Sequence, residues 1–330
     1  MASSAPDAVT LPPFAVVIPT RNAGMFIAPM LAALAAQTAR PLEVLVIDSD
    51  SNDGTPQCFE SAGCRVYPIK VAQFDHGGTR NLGAAMVDKR AELLVFLTQD
   101  AVPAGPDAFA CLLAPFADPM TAMAYGRQLP RPQASPIERH ARIFNYGSTP
   151  AVRRLPQARA LGIRAIFCSN SFAAYRRSTF EALGGFASPV IMGEDQVFAA
   201  RALLAGWSVA YAAAAEAVHS HGYTPLQEFH RYFDTGVYHA ATPLIGQQFG
   251  GIGGEGLAFI RSELRHLART APAWIAVAPV HWAAKIIGYR LGRRFAHLPP
   301  SLCRALSMHK GHFRPTASEG ATAAMPAAAD

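Results

Sequence analysis

Short apolar runs alternate with segments of helical periodicity near the start of the chain. The apolar runs predict four strands, over 14–19, 42–48, 65–69 and 93–97. Between them, apolar residues recur at helical spacing and predict helices over 26–37, 56–62 and 79–87. Such alternation is typical of βαβ units, in which helices join parallel strands. The pattern therefore predicts an α/β fold with a Rossmann-like, mostly parallel central sheet flanked by helices.

The second part of the chain has a looser pattern. The stretch from Pro130 to Pro156 is rich in proline, arginine and glutamine and predicts a loop or a mobile lid. Ordered structure is expected to resume with a strand over 166–175 and a short helix that Ser178 caps and a glycine pair ends. A longer helix is expected from Glu194 to Ala205, where Gly206 provides a stop.

These patterns divide the chain into regions. Both ends are rich in small and polar residues without periodicity, so ordering them would not offset the lost chain entropy. We therefore expect a disordered N-terminus (1–13), one α/β domain (14–223) with two halves (14–128 and 129–223), a helical C-terminal extension (224–314) and a disordered tail (315–330).

Composition argues against several classes of protein. Hydrophobic residues make up 51% of the chain and charged residues 16%, as in folded globular proteins. The net charge of +6 is modest and the basic residues form no stripe interleaved with aromatic residues, so no nucleic-acid partner is expected. Five scattered cysteines without a Cys-x-x-Cys pair predict a reducing cytosol and no zinc site. We read no secretory signal and expect a cytoplasmic protein.

One C-terminal stretch raises the question of membrane contact. Ala271 to Ile287 is mostly apolar, but two prolines interrupt it and it is shorter than the roughly 20 apolar residues that span a bilayer. Residues 257–297 contain seven basic residues and a single acid, Glu263, a pattern typical of a helix face that meets anionic lipid. This predicts peripheral contact with the cytoplasmic face of the inner membrane. An ordinary core helix with a solvated basic face is the alternative.

Polar side chains follow three of the predicted strands, at their carboxyl ends. Thr20 and Arg21 follow the first strand, Asp48 the second and Asp100 the fourth. Ligands of open α/β sheets bind at this edge. The carboxylates of Asp48 and of the acidic run behind it, which includes Asp50, can accept hydrogen bonds from a pyrimidine N3–H or from ribose hydroxyls. A tight Asx turn would use the same residues, and this alternative stays open.

The segment from Phe74 to Gly83 predicts an anion-binding helix start. Two glycines precede the helix, so free backbone N–H groups can face a diphosphate. Arg80 lies in the first turn, where a cation opposes the helix dipole and requires an anionic partner. A purely structural helix cap is the competing interpretation.

Asp100 is a candidate ligand for a divalent cation. It ends an apolar strand, and carboxylate oxygens suit Mg²⁺ or Mn²⁺ that bridges diphosphate oxygens. His219 and His221 are two residues apart, so their side chains lie on the same side of an extended chain. Either histidine can complete the metal shell or contact the diphosphate, and a structural role is the alternative.

Asp195 is the candidate general base. Glu194 and Asp195 follow Gly193 and open a helix, where the helix dipole stabilises an ionised carboxylate. Such a carboxylate can take the proton of an acceptor hydroxyl. Acidic residues in first turns also serve as ordinary capping residues, so this alternative stays open.

Four short motifs, taken in order, resemble one family of enzymes. They are FDHGGTRN at 74–81, LTQDA at 97–101, SNS at 169–171 and HSH at 219–221. From Phe14 to about Tyr223, the chain resembles the inverting glycosyltransferases of family 2, which have the GT-A fold, and among them the bacterial rhamnosyltransferase branch. The resemblance implies a nucleotide-binding first half of the domain and an acceptor-binding second half.

The resemblance also implies roles for single residues. Thr20, Asp48 and Arg80 would hold the nucleotide, Asp100 the metal and diphosphate, and Asp195 the acceptor proton. The remaining candidates are Arg21, Asp50 and Gln99 in the donor site, His219 in the metal shell, and Asn170, Glu194 and His221 near the acceptor or diphosphate. Two positions depart from the family pattern: Thr98 replaces the first aspartate of the metal motif, and Asp50 lies where many relatives have glycine.

The implied reaction is sugar transfer with inversion of the anomeric carbon. The implied donor is a nucleotide sugar such as dTDP-L-rhamnose, with Mg²⁺ or Mn²⁺ as cofactor, and the implied acceptor is a polysaccharide or lipid-linked glycan. A UDP- or GDP-sugar donor and a non-catalytic polysaccharide-assembly protein are the alternatives. A nucleotidyltransferase would need a glycine-rich loop with a basic residue directly after the first strand, and Pro19 to Gly24 matches this poorly.

Overall fold

A single sheet of nine strands runs through the part of the chain that the computed structural model describes, residues 11–251 and 254–313 without the side chain of Arg159. The predicted tail 315–330 and most of the predicted N-terminal segment 1–13 lie outside these ranges. The strands are β1 (Phe14–Thr20), β2 (Val44–Ser49), β3 (Arg65–Ile69), β4 (Leu93–Leu97), β5 (Val102–Pro103), β6 (Thr121–Leu129), β7 (Ala151–Arg153), β8 (Phe172–Arg176) and β9 (Ser208–Val218).

The strand order confirms the predicted α/β fold with a mostly parallel sheet. The order is β3-β2-β1-β4-β8-β6-β9-β5, and β7 pairs with β9. Strands β1 to β4 are mutually parallel, and β6 and β9 run in the same direction as they do. Strand β8 is antiparallel to both of its neighbours, β4 and β6. The carboxyl ends of β1, β2, β4, β6 and β9 therefore face one edge of the sheet.

Helices cover the sheet and form the C-terminal part of the described chain. They are α1 (Ile27–Ala36), α2 (Thr55–Ser61), α3 (His76–Met86), α4 (Ala108–Leu113), α5 (Pro136–Asn145), α6 (Leu155–Leu161), α7 (Arg177–Ala182), α8 (Glu194–Leu204), α9 (Pro225–Ala241), α10 (Pro243–Phe249), α11 (Glu255–Thr270), α12 (Ala278–Gly292) and α13 (Pro300–Leu306). Strand β4 is buried along its whole length because the sheet is covered on both faces.

An aromatic cluster on one face of the sheet supports the segment that precedes β8. Phe96 of β4 and Tyr175 of β8 make an edge-to-face contact, with ring centroids 5.6 Å apart. Tyr175 also packs against Phe186 and Phe198, with centroids 5.1 and 5.0 Å away. Such pairs stabilise a core beyond the area they bury. They position Tyr175, whose hydroxyl donates to Asn170 Oδ1 at 2.6 Å.

The expectation of a loop from Pro130 to Pro156 was wrong, because this stretch contains α5 and β7. Ser135 begins α5 with a reciprocal cap: its Oγ accepts from the Glu138 N–H, and the Glu138 carboxylate accepts from the Ser135 N–H. Pro136 occupies the first turn, where a missing N–H costs nothing. Ser135 and Glu138 at this spacing are a sequence signal for a helix start, whereas the high proline content of the stretch favours a loop.

Two further local predictions also need correction. The strand expected over 166–175 begins only at Phe172, because 162–166 forms a turn of 3₁₀ helix. Ser178 does not cap the next helix, which already begins at Arg177. The helix thus starts two residues earlier than a Ser178 cap would place it, and the buried Arg177 guanidinium donates to the carbonyl oxygens of Ala84, Asp88 and Ala91.

Chain contacts divide the protein into two units. The first contains the described residues up to Gly222 together with Thr242–Ala278, so α10 and α11 belong with the sheet. In it, α11 packs on α5, and Ser262 Oγ lies 3.0 Å from His140 Nε2. The predicted domain boundary after Tyr223 stays a prediction.

The second unit contains α9, α12 and α13. Helices α9 and α12 approach closely at Gly236, Gly288 and Gly292, where an added Cβ would lie under 2.5 Å from a backbone oxygen of the facing helix. Asp234 of α9 accepts hydrogen bonds from the N–H groups of Met308 and His309, 3.0 Å each. Among the described helices of the whole chain, none has the length and hydrophobicity needed to cross a membrane.

Candidate active site

The loops after β1 and β2 are joined at Asp48. Its Oδ1 accepts hydrogen bonds from Thr20 Oγ1 (2.9 Å) and Ser51 Oγ (2.6 Å), and its Oδ2 accepts from the Ser51 N–H (2.9 Å). The carboxylate is almost fully buried. The Asx-turn interpretation therefore describes the local structure. Thr20 and Asp48 lie together, as predicted for a donor site, and their contact with a nucleotide stays a prediction.

Asp50 is held at the end of β3. Its carboxylate accepts from Lys70 Nζ at 3.2 Å and from the Val71 N–H at 3.0 Å. The Val71 hydrogen bond, followed by the one from Lys70, lowers the pKa of Asp50. Asp50 adopts a left-handed conformation with φ of 52°, the region in which glycine is most easily accommodated. The extra carboxylate is thus compensated by Lys70.

Gln99 fixes the backbone of Arg21. The Arg21 N–H donates to Gln99 Oε1 at 2.7 Å, and Gln99 Nε2 donates to the Arg21 carbonyl oxygen at 3.1 Å. The Arg21 residue is exposed at the carboxyl edge of the sheet. Arg21 and Gln99, both predicted for the nucleotide-sugar site, thus lie together. The Gln99 amide holds the loop that carries the Arg21 side chain.

Asp100, His219 and His221 form a cluster at the carboxyl ends of β4 and β9. Asp100 Oδ2 lies 3.4 Å from His219 Nε2 and 3.7 Å from His221 Nε2. One donor atom from each residue falls within 4.8 Å of the others, close enough to ligate one ion. The Asp100 side chain is mostly buried within this cluster, with 15% of its surface exposed.

Arg131 reaches the same cluster and was not among the predicted site residues. Its Nη2 donates to Asp100 Oδ2 at 3.3 Å, and its guanidinium lies 4.6 Å from the centre of the Phe26 ring. The Arg131 N–H donates to Ser220 Oγ at 2.9 Å, between the two histidines. Nothing in the local sequence distinguishes Arg131 from the other arginines of a stretch that was expected to be a loop.

The donor set fits a divalent cation. His219 Nδ1 lies 2.9 Å from Gln128 Oε1, an acceptor, so Nδ1 carries the proton of the neutral ring. Burial lowers the pKa of His219 and favours that neutral ring. The Nε2 lone pair and the Asp100 carboxylate then face each other as two acceptors, an unfavourable pair unless a cation lies between them. A carboxylate oxygen and imidazole nitrogens suit Mn²⁺ well, and Mg²⁺ prefers the oxygen.

Glu194 and Asp195 open α8 directly after Gly193. Glu194 is buried and pairs with Arg80, whose Nη1 lies 3.1 Å from Glu194 Oε1. Asn170 Nδ2 donates to the same oxygen at 2.9 Å. Burial would raise the pKa of Glu194, but the charges of Arg80 and His76 together with the hydrogen bond from Asn170 outweigh it, and the pKa is lowered. Glu194 therefore stays ionised and forms an ion pair with Arg80.

The pKa of Asp195 is shifted in the opposite direction to that of Glu194. Its carboxylate accepts from the N–H groups of Asn170 (2.9 Å) and Gln196 (2.8 Å). Burial, followed by the charge of Glu194, raises the pKa of Asp195 to about 7. A carboxylate with such a pKa can take up a proton near neutral pH, as a general base must. The site thus contains two adjacent carboxylates of which only one titrates near neutrality.

Asn170 organises both carboxylates. Its backbone N–H donates to Asp195, its side-chain amide donates to Glu194, and its Oδ1 accepts from the Tyr175 hydroxyl at 2.6 Å. The residue is nearly inaccessible to solvent. Asn170 and Glu194 are therefore both buried next to Asp195. Their predicted contact with the acceptor or diphosphate stays a prediction, as does that of His221.

The start of α3 binds another segment of the protein. Asp75 caps the helix by accepting from the Gly78 N–H (2.6 Å), and also accepts from Ser188 Oγ (2.8 Å) and the Val190 N–H (3.0 Å). At Gly77 an added Cβ would lie 1.9 Å from the carbonyl oxygen of Ala187. The capping interpretation therefore describes this helix start, since residues of the 187–190 segment contact it.

The anionic partner expected for Arg80 is Glu194. Arg80 also donates to the His76 carbonyl oxygen at 2.9 Å and is almost fully buried. Together with Asp75, it connects α3 to the segment that leads into α8. Its predicted direct contact with the donor nucleotide stays a prediction.

Comparison with known proteins identifies the class to which this fold and site belong. The sequence model of the family described as glycosyl transferase family 2 matches residues 15–184. The chain belongs to this family and is a glycosyltransferase, as the resemblance implied.

Two relatives are similar over nearly the whole chain. It is 47% identical to the O-antigen chain rhamnosyltransferase RfbN of Salmonella typhimurium, over 90% of this chain and 95% of that protein. It is 44% identical to the O-antigen chain rhamnosyltransferase WbaN of Salmonella anatum, over 92% of this chain and 96% of that protein. The expected likeness to rhamnosyltransferases is confirmed.

Solved structures support the fold. A mannosyltransferase from Pyrobaculum calidifontis, solved with GDP-Man and Mn²⁺, aligns with a TM-score of 0.56 and 20% identity, over 93% of this chain and 88% of that chain. TarS of S. aureus, residues 1–349, aligns with a TM-score of 0.51 and 16% identity, over 90% and 83%. At these identities the likeness shows the GT-A fold alone.

Proposed function

We propose that this protein transfers an L-rhamnosyl group from dTDP-L-rhamnose to a hydroxyl of a lipid-linked O-antigen precursor, with inversion at the anomeric carbon. The Asp195 carboxylate, held at the start of α8 by the N–H groups of Asn170 and Gln196, is the observation that carries the reaction type, and its raised pKa supports it. The names of the two Salmonella relatives support the sugar and the acceptor.

In the proposed reaction, Asp195 takes the proton of the acceptor hydroxyl. The acceptor oxygen forms its bond to the anomeric carbon as the bond from that carbon to the diphosphate oxygen breaks, and the electron pair leaves with the dTDP. Asn170 orients Asp195 through its backbone N–H, while Arg80 compensates Glu194 so that the site does not carry two uncompensated charges.

Four residues of the carboxyl edge are proposed for the donor. Asp48 would accept from the thymine N3–H, with Thr20 fixing its carboxylate. Arg21, held by Gln99, would face the diphosphate from the same edge of the sheet. Backbone and side-chain groups there are already positioned by protein contacts, so little ordering is needed when the nucleotide binds.

Asp100, His219 and His221 would hold Mg²⁺ or Mn²⁺. When bound, such an ion neutralises the charge that develops on the diphosphate leaving group. Arg131, which lies against Asp100, supplies positive charge to the same region from the protein itself. The ion and Arg131 would thus both stabilise negative charge on the diphosphate, while Thr98 leaves Asp100 as the carboxylate of the metal motif.

A surface of the second unit is proposed to contact the anionic lipid of the inner membrane on its cytoplasmic face. It combines exposed apolar side chains with exposed cations: Val280, Ile286, Ile287 and Leu302, and Arg290, Arg293, Arg294 and Arg304. Of the acids in the described residues of this unit, Glu228 pairs with Lys285 at 3.3 Å and Asp234 is buried. Apolar contact with unopposed positive charge favours an anionic bilayer.

A transfer assay with the purified full chain tests the proposed function. The donors are dTDP-L-rhamnose, UDP-glucose and GDP-mannose, and the acceptor is an undecaprenyl-diphosphate-linked O-antigen precursor. We expect product only with dTDP-L-rhamnose and an anomeric configuration opposite to that of the donor by NMR. Product from another donor would overturn the proposed sugar, and retained configuration would overturn the single-displacement mechanism.

A further inference from the structure

Gln128 connects the candidate metal cluster to helix α5. It lies on β6, next to β9, and is buried with 2% of its surface exposed. On one side its Oε1 lies 2.9 Å from Nδ1 of His219. On the other side the same oxygen accepts a hydrogen bond from Arg142 Nη1 of α5. Neither Gln128 nor Arg142 was predicted to belong to the site.

Arg142 determines the orientation of the Gln128 amide. A guanidinium group only donates hydrogen bonds, so the atom that it contacts must be the amide oxygen and not the amide nitrogen. The same oxygen faces His219 Nδ1, so this ring nitrogen must carry the hydrogen. In the neutral ring, His219 Nε2 is then left with a free lone pair, 3.4 Å from Asp100 Oδ2.

We propose that Gln128 is a positioning residue that sets the tautomer of His219 for cation binding, with Arg142 fixing the Gln128 amide. The inference rests on the proposed metal site. Outer-shell partners of metal-binding histidines fix the ring orientation and raise the basicity of the ligating nitrogen, and their loss commonly weakens metal binding 10- to 100-fold. Helix α5 thereby acts on the site although none of its residues is proposed as a ligand.

Methionine and glutamate variants of Gln128 test this role. Gln128→Met keeps the length of the side chain but removes the acceptor, so His219 is free to place its hydrogen on Nε2 and donate it to Asp100. Gln128→Glu keeps an acceptor for both Arg142 and His219 Nδ1–H, and should restore the wild-type behaviour. The matched control is Gln37→Met, which removes another buried amide, with partners at Ala33, Gly105 and Phe109.

The first readout is the His219 tautomer, from long-range ¹H–¹⁵N NMR of the metal-free chain at a pH where the ring is neutral. The His219→Gln variant identifies the signals. We expect the Nδ1–H tautomer in the wild type, in Gln128→Glu and in Gln37→Met, and a gain of the Nε2–H tautomer in Gln128→Met. An Nε2–H tautomer in the wild type would overturn the proposal.

The second readout is the affinity for Mn²⁺ in the presence of dTDP, from the EPR signal of free Mn²⁺. We expect about 10- to 100-fold weaker binding by Gln128→Met and wild-type binding by Gln128→Glu and Gln37→Met. Unchanged affinity of a folded Gln128→Met protein would contradict the role of Gln128. A wild-type chain that binds no Mn²⁺ would overturn the metal site itself. The NMR result distinguishes failure of the metal site from failure of the proposed role of Gln128.

Discussion

Asp195 and Glu194 are neighbours in the sequence but differ in acidity because their surroundings differ. Glu194 faces the buried cation of Arg80, which lowers its pKa despite burial. For Asp195, burial followed by the Glu194 charge raises the pKa more than two backbone hydrogen bonds and the charge of Arg80 lower it. At the scale of single residues, the ion pair between Arg80 and Glu194 therefore decides which of the two carboxylates has the lower pKa.

The pH dependence of the reaction should report the pKa of Asp195. A base must be ionised to accept a proton, and the pKa of Asp195 is raised to about 7. We therefore expect kcat/KM to fall about tenfold per pH unit below about 7 and to level off above it. Asp195→Asn should lower kcat by about 10²- to 10⁴-fold with unchanged dTDP affinity, and its residual activity should lack this acidic limb. A wild-type limb near pH 4, the ordinary range of an aspartate, would contradict the assignment.

Asp100 should couple nucleotide binding to the cation. We expect Asp100→Ala to weaken dTDP binding in the presence of Mn²⁺ and to change it little in EDTA, because the carboxylate acts through the ion. Isothermal titration under both conditions measures the difference. Asp118→Ala, which removes an exposed carboxylate that pairs with Arg154, is the matched control. Equal affinities of Asp100→Ala and the wild type with Mn²⁺ would show that the ion is not held there.

The residues at strand ends could be predicted, whereas their partners could not. Thr20, Asp48 and Asp100 follow apolar strands, and parallel strands bring their carboxyl ends to one edge, so local pattern was sufficient to bring these residues together. Arg131 and Arg142 reach the site from a stretch whose composition indicated a loop, and Gln128 reaches it from β6. Their role depends on contacts between segments distant in sequence, which no local pattern encodes.

At the scale of elements, the start of α3 holds the segment that leads to the catalytic carboxylates. Asp75 and Asn81 bind backbone groups of this segment: Val190 in the first case and Phe186 in the second. Gly77 allows the backbone of Ala187 to lie against the helix. Gly77 is thus required for close packing between two parts of the protein, and the predicted anion site at this helix start stays a prediction.

Gly77→Ala should destabilise this contact. The new Cβ would lie 1.9 Å from the Ala187 carbonyl oxygen, and a backbone atom cannot move aside as a flexible side chain can. We expect a loss of about 1–3 kcal/mol in the free energy of unfolding, the usual cost of overpacking. Gly105→Ala is the matched control, since nothing lies within 4 Å of its added Cβ. Urea denaturation measures both, and equal midpoints of the two variants would refute the packing argument.

At the scale of the whole molecule, the second unit offers a surface of exposed apolar and basic side chains. Each basic residue near an anionic bilayer contributes about 1 kcal/mol to the free energy of binding. Arg290, Arg293 and Arg294 together therefore contribute about 3 kcal/mol.

Replacing Arg290, Arg293 and Arg294 together by glutamine should weaken binding to anionic vesicles about 100-fold, in line with the loss of about 3 kcal/mol. Vesicles of phosphatidylglycerol and phosphatidylcholine are compared with phosphatidylcholine alone in a sedimentation assay. The control replaces Arg40, Lys89 and Arg154, three exposed cations of the first unit, and should bind as the wild type does. Wild-type protein that binds neither kind of vesicle would refute the proposed membrane surface.

The sequence by itself determined the alternation of strands and helices, the mostly parallel sheet and the family, because periodicity and short motifs are local properties. It also identified Asp195, Asp100 and the two histidines as candidates. Only the tertiary structure decided that Arg80 pairs with Glu194, that Asp50 pairs with Lys70, and that Gln128 faces His219. These pairings set charge, pKa and tautomer, and they arise from the approach of side chains that the fold brings together from distant segments.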